Sequence, residues 1–504
     1  MDTKVLHTLE YHKIIENLLV HTHTSLGREL VSKLKPAGDI ATIKHQLSET
    51  EEAVQFDRLK AVPPFGGIFP LQTSLERARI GGVLSASELA EVASTIQGTR
   101  RLKRFLRQPQ DAEEHFPILT HLAGQIEDLR SLEEEISRCI NEQAEVVDSA
   151  SEELSRIRNS IRTLESRVRE KLDQMVKNAA IQKKLQDPIV TIRSERFCLP
   201  VKQEYRADFG GIVHDQSASG ATLFIEPAAV VTMNNELREQ KGKEQREIEK
   251  ILMRLSSLTA EHEDALTTNM KAVASLDFIF AKALLAKEMK ATLPIMNENG
   301  YIRFRKGRHP LIDPQVVVPI DVELGRDYRT IIITGPNTGG KTVTLKTIGL
   351  LSLMAASGLF VPAEDGSQFS SFDSVYADIG DEQSIEQNFS TFSSHMTNII
   401  RILQQFTERS LILLDELGAG TDPAEGSALA IAILDYIHQK GCRTVATTHY
   451  SELKAYAFNT PGIMNASMEF DVQTLSPTYR LLLGIPGRSN ALAIAERLGL
   501  ERKI

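Results

Sequence analysis

A glycine-rich segment of eight residues has the residue types and the spacing needed to hold a chain of phosphates. It fits the pattern G-x-x-x-x-G-K-[ST] and consists of Gly335, Pro336, Asn337, Thr338, Gly339, Gly340, Lys341 and Thr342. Glycines let successive backbone N–H groups turn inward around an anion, where a Cβ atom would block them. We expect Lys341 to reach the β- and γ-phosphates of a nucleotide and Thr342 to direct its hydroxyl to Mg²⁺. The alternative is a glycine-rich turn between a strand and a helix that binds nothing.

Two adjacent carboxylates follow an apolar run further along the chain. The run 411–414 leads directly into Asp415 and Glu416. An aspartate at the carboxyl end of a strand beside a phosphate loop can hold Mg²⁺ or one of its waters, and the next glutamate can polarise an attacking water. The pattern therefore predicts one metal ligand, Asp415, and one catalytic base, Glu416. A buried acidic turn without chemistry is the alternative.

Two further segments carry candidate residues for the same site. The run 443–448 predicts a strand that ends in His449. A histidine there can sense a γ-phosphate and steady the attacking water, although strand-end histidines are often purely structural. The hydroxyl-rich segment 388–395 predicts the start of a helix. Because a helix N-terminus that carries serine suits contact with a phosphate, Ser390 is a further candidate, with simple N-capping as the alternative.

The elements that must position these residues alternate between strands and helices. A β-branched apolar run at 330–334 precedes the glycine-rich segment, a helical pattern follows it, and another helix is expected at 424–439. This alternation is typical of a parallel sheet with nucleotide at its carboxyl edge. We therefore predict an α/β P-loop domain with a parallel-rich sheet, and we place it at residues 291–504.

The rest of the chain is expected to be mainly helical. Residues 1–130 have the pattern of a helical lever domain, and residues 131–290 that of an antiparallel coiled-coil arm. An insert at about 187–229 contains short β-branched runs. These runs predict a small strand-containing clamp at the tip of the arm.

Two long helical segments are expected to form the arm. The first is a continuous charged helix from about 131 to 186, and the second runs from about 230 to 286. The first has a narrow apolar seam at steps of three and four, formed by Ile157, Ile161, Leu164, Val168, Leu172 and Met175. Such a seam is typical of a helix that packs against one partner helix.

Basic residues are concentrated around the insert. Between Leu154 and Arg206 the sequence has thirteen Lys or Arg against six Asp or Glu, although the net charge of the chain is −9. The basic residues expected at the tip are Arg193, Arg196, Lys202 and Arg206. We interpret the surplus as a nucleic-acid-binding surface, with a solvated coiled-coil surface as the alternative.

Composition limits the class of protein further. A chain of 504 residues is expected to form about two to four domains. The first 20 residues contain acidic side chains, and the longest apolar region, 348–362, is interrupted by glycine and serine. Neither a secretory signal nor a membrane span is therefore expected. The three cysteines lack metal-ligand spacing, which favours a cytoplasmic protein.

Taken together, these motifs resemble the MutS branch of the ABC-type ATPases. The matching segments are 307–310, 335–342, 390–392, 411–421 and 447–449. The chain is most similar to the bacterial subfamily that lacks the mismatch-reading domain, called MutS-two. The marks of that subfamily are the segments 202–205, 219–227 and 378–384. The resemblance implies an ATP- and Mg²⁺-dependent homodimer in which Ser390 of one subunit completes the ATP site of the other.

The resemblance also assigns roles and shows two departures. It assigns Lys341 and Thr342 to phosphate and Mg²⁺, Asp415 to Mg²⁺, Glu416 to the attacking water and His449 to a conformational switch. The chain starts in the lever region, without a mismatch-reading domain. It stops at residue 504, where this subfamily usually continues into a further coiled coil and a small nuclease-like domain. We therefore expect a C-terminally truncated chain and assign no nuclease to it.

Three functions are left open by the sequence. The first is a clamp that binds stalled or collided ribosomes through rRNA and uses ATP-driven movement to split them into subunits. The second is a DNA-structure-binding ATPase that suppresses recombination, with an endonuclease in a domain absent from this chain. The third is an ATP-gated structural dimer without turnover. Because rRNA and DNA attract a basic surface in the same way, the sequence does not rank the first two.

Overall fold

The computed structural model describes residues 2–107, 116–335, 339–380, 391–471, 474 and 476–487. By internal contacts the chain forms two compact units. The first comprises residues 1–64, 103–125 and 271–504, and the second comprises residues 65–102 and 126–270. The three-part division that we expect from the sequence stays a prediction.

The named elements are helices up to Gln182, and strands occur among the helices from Thr191 onward. The helices are α1 Thr3–Thr8, α2 Tyr11–Val20, α3 Ser25–Ser32, α4 Ile40–Leu59, α5 Gln72–Arg79, α6 Ala86–Leu106, α7 Pro117–Gln125, α8 Arg130–Cys139, α9 Glu152–Lys177, α10 Ala179–Gln182, α11 Arg206–Phe209, α12 Ala228–Glu261, α13 Glu263–Glu288, α14 Lys341–Ala356, α15 Thr391–Gln405, α16 Pro423–Gln439 and α17 Ser451–Asn459. The strands are β1 Thr191–Arg193, β2 Arg196–Lys202, β3 Ile212–Gln216, β4 Thr222–Glu226, β5 Ile295–Asn297, β6 Ile302–Gly307, β7 Ile320–Leu324, β8 Thr330–Thr334, β9 Gln368–Ser370, β10 Ser374–Asp378, β11 Ser410–Leu414, β12 Arg443–Thr448, β13 Ile463–Asp471 and β14 Ser476–Leu483.

A six-stranded sheet forms the centre of the first unit, in the order β10-β11-β12-β8-β13-β14. Its first five strands pair in parallel, and β14 pairs with β13 in the antiparallel sense. The register places Thr334 beside Thr448 and Leu414 beside Ala446. The carboxyl ends of β8, β11 and β12 therefore lie at one edge, and the predicted mixed α/β fold with a parallel-rich sheet is confirmed.

Helices cover both faces of this central sheet. In β8, Ile331 and Ile333 belong to a core that they share with α14, whereas Ile332 belongs to a second core that contains residues of α15, α16 and α17. Successive side chains of a strand point to opposite faces, so a strand buried on both faces needs apolar residues at every position. This requirement explains why 330–334 and 411–414 are nearly uninterrupted apolar runs. A smaller sheet of order β5-β9-β6-β7 completes the strands of this unit.

The second unit contains two long helices that pack in opposite directions. The ion pairs between them join Arg158 to Glu244 at 2.7 Å and Glu165 to Lys241 at 3.0 Å, so α9 and α12 run antiparallel. The predicted seam of α9 is buried except for Met175, which is partly buried. An antiparallel four-stranded sheet of order β1-β2-β4-β3 shares its core with these helices. The names lever, arm and clamp describe movements and stay predictions.

The prediction of one continuous charged helix at 131–186 is wrong. Helix α8 ends at Cys139 and α9 begins at Glu152, and between them the chain turns back with a bridge from Ile140 to Val146. The side chain of Ser151 accepts a hydrogen bond from the backbone N–H of Leu154 and so starts α9 as a new helix.

Two expectations drawn from composition can be compared with the structure. Cys139, Cys198 and Cys442 are buried and form no disulfide. In the described ranges, no helix is both long enough and apolar enough to cross a membrane.

Candidate nucleotide-binding and hydrolysis site

The P-loop begins where β8 ends and leads into α14. Gly335 has φ 141° and Gly340 has φ 91°, backbone angles that glycine adopts at little cost. Helix α14 begins at Lys341, so its positive end faces the loop. Gly339 lies between these points, and Pro336, Asn337 and Thr338 lie outside the described residues.

The Lys341 side chain is held against this loop. Its side chain is buried, at 1% exposure, and its Nζ donates a hydrogen bond to the carbonyl oxygen of Gly335 at 2.8 Å. Burial lowers the pKa of Lys341, while the nearby charges of Glu416 and Asp415 act in the opposite direction. The loop therefore places one cation at the position where a phosphate chain would lie.

A hydrogen-bond network joins the P-loop helix to the carboxylate of Asp415 and to the backbone of Glu416. The hydroxyl of Thr342 donates to Oδ2 of Asp415 at 2.6 Å. The hydroxyl of Thr447 donates to Oδ1 of the same carboxylate and accepts the backbone N–H of Glu416 at 2.8 Å. The network fixes Asp415 on both oxygens and fixes the backbone of Glu416 beside it.

The backbone of Glu416 adopts an uncommon conformation. Its φ is 47°, in the left-handed region that favours glycine, and its carbonyl accepts the N–H of Ala419 at 2.9 Å in a tight turn. Such backbone angles cost about 1–3 kcal/mol and tend to occur at functional sites. The turn is therefore consistent with a residue whose orientation matters for chemistry.

A third acidic residue, Asp378, connects this network to α15. Its Oδ2 lies 2.8 Å from Nδ1 of His395, and its Oδ1 accepts Nδ2 of Asn398 at 2.8 Å. Its backbone carbonyl accepts the N–H of Asp415 at 2.8 Å. Ser390 lies outside the described residues, and α15 begins one position after it, at Thr391.

His449 follows β12 and lies at the same edge of the sheet. Its side chain is exposed, and its ring packs against that of Tyr450 with centroids 4.4 Å apart. The hydroxyl of Tyr450 donates to the carbonyl of Gly418 at 2.9 Å, in the turn that follows Glu416. The structure thus brings Lys341, Thr342, Asp415, Glu416 and His449 together at one edge of the sheet.

Two residues of this site were not identified from the sequence. Thr447 belongs to a strand with several threonines, and only the pairing of β11 with β12 shows that its hydroxyl meets Asp415. Tyr479 lies against the P-loop, since a Cβ atom at Gly340 would be 2.9 Å from a ring carbon of this tyrosine. The ring is 48% exposed and offers an aromatic surface at the entrance of the loop.

The donor set fits magnesium bound together with a nucleotide. Mg²⁺ usually takes one or two protein ligands and completes its shell with phosphate oxygens and water. Thr342 and Asp415 supply one hydroxyl and one carboxylate side by side. Within the part of the chain that the structure describes, no group of three or more His, Cys, Asp or Glu side chains could hold a metal by itself. The oxygens present therefore suit a cation that arrives with phosphates.

The basic residues predicted at the tip lie in different environments. Arg193 lies over the ring of Phe224, with its guanidinium carbon 4.2 Å from the centroid, and its Nε is 3.2 Å from Oδ2 of Asp215. Lys202 donates to the carbonyl of Lys183 at 3.1 Å. Arg206 is exposed at the start of α11. These three remain accessible from solvent to different degrees.

Arg196 is the exception, because its burial contradicts the prediction that it contacts nucleic acid. It is 9% exposed, and its Nη1 binds Oε1 of the fully buried Glu226 at 3.0 Å. Oε2 of the same carboxylate lies 2.6 Å from Nε2 of His214. The charge of Arg196 is therefore neutralised inside the sheet, which a count of basic residues along the sequence does not reveal.

Comparisons with known proteins agree with this geometry. Residues 331–504 match the family model described as MutS domain V. The chain is 60% identical to the protein named Endonuclease MutS2 from Geobacillus sp. (strain WCH70), over 100% of this chain and 64% of the relative. It is 58% identical to Endonuclease MutS2 of Halalkalibacterium halodurans, over 99% of this chain and 64% of the relative. It is 55% identical to Putative endonuclease MutS2 of Bacillus subtilis (strain 168), over 100% of this chain and 64% of the relative. The chain thus spans slightly less than two thirds of the length of these relatives.

Proposed function

The chain belongs to the MutS family and is of the MutS2 type, and from this premise we propose that it is an Mg²⁺-dependent ATPase. The observation that carries the proposal is the network that joins Thr342, Asp415, Thr447 and Glu416 beside Lys341. A bare glycine-rich turn does not need a carboxylate held on both oxygens next to it, with a second acidic residue directly after it. A site that hydrolyses a triphosphate does.

Each side chain has a definite task in this proposal. Lys341 binds the β- and γ-phosphates, and Thr342 and Asp415 hold the cation. Mg²⁺, when bound, neutralises charge on the phosphate oxygens. Glu416 accepts a proton from the attacking water, and Thr447 holds the carboxylate of Asp415 and the backbone of Glu416. Tyr479 provides a surface on which the base of the nucleotide stacks.

The substitution Glu416→Gln tests whether the site turns over. Loss of the base is expected to reduce ATP hydrolysis by about 10²- to 10⁴-fold, while ATP binding in equilibrium dialysis persists because the P-loop is unchanged. Glu425→Gln is a matched control, since this exposed glutamate lies in the first turn of α16. Hydrolysis by Glu416→Gln at the rate of this control would refute the role of Glu416. Absence of hydrolysis in the wild type would instead favour an ATP-gated structural dimer.

We further propose a homodimer in which Ser390 completes the ATP site of the second subunit. A mixture of the variants Lys341→Ala and Ser390→Ala tests this arrangement, because each variant alone should be inactive. If Ser390 acts across the interface, the mixed dimer contains one intact site and activity returns. If Ser390 acts within its own subunit, both sites of the mixed dimer are defective and no activity returns.

The proposed target carries nucleic acid, and the tip of the second unit is its proposed contact. Accessible Arg193 and Arg206 lie in the same small domain as Ile192 and Ile212, which are 52% and 46% exposed. Exposed apolar residues among basic ones are typical of a binding surface. We propose stalled or collided ribosomes as this target, with ATP-driven separation of the subunits. Branched DNA is the alternative.

Charge-reversal variants distinguish between ribosomes and branched DNA as the target. Arg193→Glu with Arg206→Glu should weaken binding in ribosome pelleting if rRNA is the target, and in gel shifts with branched DNA if DNA is the target. Arg196 stays unchanged because its loss would leave the carboxylate of Glu226 buried without its arginine. Lys250→Glu, at an exposed position on α12, controls for nonspecific charge. If neither assay responds, the tip is not the contact surface. Ribosome splitting itself predicts ATP-dependent release of subunits in sucrose gradients, absent in Glu416→Gln.

The word endonuclease in the names of the relatives refers to those longer proteins. We propose no nuclease residue in this chain. In the DNA alternative, cleavage by a full-length relative would depend on parts that this chain does not cover.

A further inference from the structure

A polar cavity of about 410 Å³ lies at the opposite edge of the central sheet from the P-loop. Arg329 immediately precedes β8, Arg409 immediately precedes β11, and Arg443 is the first residue of β12. All three line the cavity. Since a strand rises about 3.3 Å per residue, Arg329 and Gly335 are separated by roughly 20 Å. The cavity is therefore distinct from the candidate ATP site.

Basic side chains outnumber acidic ones in the lining of this cavity. The positively charged residues are Arg329, Arg409, Lys440 and Arg443, and the negatively charged residues are Glu298 and Glu408. Arg409 also lies 3.4 Å from a carboxylate oxygen of Asp373. The lining nevertheless keeps a surplus of positive charge in a chain whose net charge is −9.

Arg443 is built into the wall through hydrogen bonds to backbone carbonyls. Its guanidinium donates to the carbonyl oxygens of Gly300 and Gly441, each at 3.0 Å, and to that of Asn299. Gly300 has φ 74°, and a Cβ atom there would lie 2.1 Å from the guanidinium carbon. Burial, and after it the positive charge of Arg329, lower the pKa of Arg443. An anion placed between the two arginines would relieve this repulsion.

A buried hydroxyl in the same wall lacks a partner. Ser371 lines the cavity and is 2% exposed, and among the described residues its Oγ has no hydrogen-bond partner. The neighbouring Ser370 differs, because its hydroxyl binds the N–H of Gly300 and the carbonyl of Asn297. A buried hydroxyl left without a partner costs about 1–3 kcal/mol, so Ser371 is suited to donate to an oxygen atom of a ligand.

We propose that this cavity binds a phosphate-bearing anion of about the size of a mononucleotide. Arginine matches the geometry of phosphate with its fork of N–H donors, and the cavity falls within the usual range for small-molecule sites. Phe372, at 4% exposure, provides an apolar wall beside the charged groups. A concave site of this volume accommodates a small ligand better than a continuous strand of nucleic acid.

The test uses the full chain with the substitution Lys341→Ala, which removes nucleotide binding at the P-loop. Equilibrium dialysis with inorganic pyrophosphate and with AMP should show saturable binding at physiological salt. Added Arg329→Ala should weaken this binding at least tenfold, and added Ser371→Ala about threefold or more. Arg326→Ala, an exposed arginine that does not line the cavity, should leave the binding unchanged.

Several outcomes would overturn the proposal. One is the absence of saturable binding of both probes, and another is binding that Arg329→Ala does not alter. Binding of a short oligonucleotide that depends on Arg329, without binding of either probe, would identify a nucleic-acid groove instead. Circular dichroism of each variant checks that a lost signal does not come from unfolding. Because the Lys341→Ala background already lacks nucleotide binding at the P-loop, absence of binding to the cavity would not contradict the proposed ATPase.

Discussion

The hydroxyl of Thr447 provides a sharp test of the proposed hydrolysis site. It donates to Asp415 and accepts the backbone N–H of Glu416, so one atom contacts the carboxylate of the first residue and the backbone of the second. The substitution Thr447→Val keeps the shape of the side chain and removes this atom's hydrogen bonds. Thr444→Val is the matched control on the same strand, because Thr444 is also fully buried and its hydroxyl lies 3.7 Å from the sulfur of Cys442.

The magnitude follows from the bonds that are lost. A hydrogen bond to a charged group contributes about 1.5–3 kcal/mol, and a backbone N–H left without a partner costs about 1–3 kcal/mol. If about half of this combined loss falls on the transition state, and each 1.4 kcal/mol lowers the rate about tenfold, the rate falls by roughly one to two orders of magnitude. We therefore expect Thr447→Val to lower kcat for ATP by about 10- to 100-fold. KM should change little, because the P-loop is intact.

Steady-state phosphate release at saturating Mg²⁺ measures both constants. Thr444→Val should retain the wild-type kcat within about twofold. If Thr447→Val also stays within that range, the hydroxyl does not position the acids and our reading of the network fails. If Thr444→Val falls equally, the loss reports damage to β12 and not to the site.

Three further predictions concern other parts of the first unit. Lys282 is fully buried, and burial lowers its pKa to about 8, so the native protein binds fewer protons than the unfolded chain above that pH. The free energy of unfolding of the wild type, relative to that of Lys282→Met, should therefore rise by about 2–3 kcal/mol between about pH 8 and pH 10.5. Urea titration at several pH values measures this difference. A difference that does not change with pH would contradict the burial of an ionisable amine. A Cβ atom at Gly27 would lie 2.2 Å from Oδ2 of the buried Asp277, so Gly27→Ala should cost about 2–3 kcal/mol in the same assay. Gly124→Ala, which meets nothing within 4 Å, should cost none, and equal stability of the two variants would contradict the reasoning. Finally, Tyr479→Ala should raise KM for ATP about two- to tenfold with little change in kcat, whereas Tyr479→Phe should preserve both, and an unchanged KM would exclude stacking on the base.

The sequence predicts the central sheet well because its signals are local. The strands β8, β11 and β12 are buried on both faces, so nearly every residue in them is apolar or small, and their bounds lie within a residue or two of the predicted runs. The chemistry of the P-loop is also local, since its glycines, Lys341 and Thr342 are consecutive. Placement of Asp415 and Glu416 beside them follows from the shared carboxyl edge of a parallel sheet.

Features that depend on pairing between distant segments could not be predicted in this way. The partner of Arg196 is Glu226, thirty positions along the chain, and only the pairing of β2 with β4 brings them together. The role of Thr447 depends in the same manner on the register of β11 and β12. The break before α9 did have a local signal, because Ser151 precedes two glutamates in a pattern typical of a helix start. This signal is obscured because acidic residues continue across the break.

The position of Asp378 has a mechanical consequence. Its backbone is bonded to Asp415, and its side chain holds two residues of α15. If Asp415 binds a cation as we propose, its displacement on loading or loss of the cation would be transmitted through Asp378 to α15. In this proposal the segment that reaches the second subunit is coupled to the cation site by a linkage that bypasses the phosphate loop.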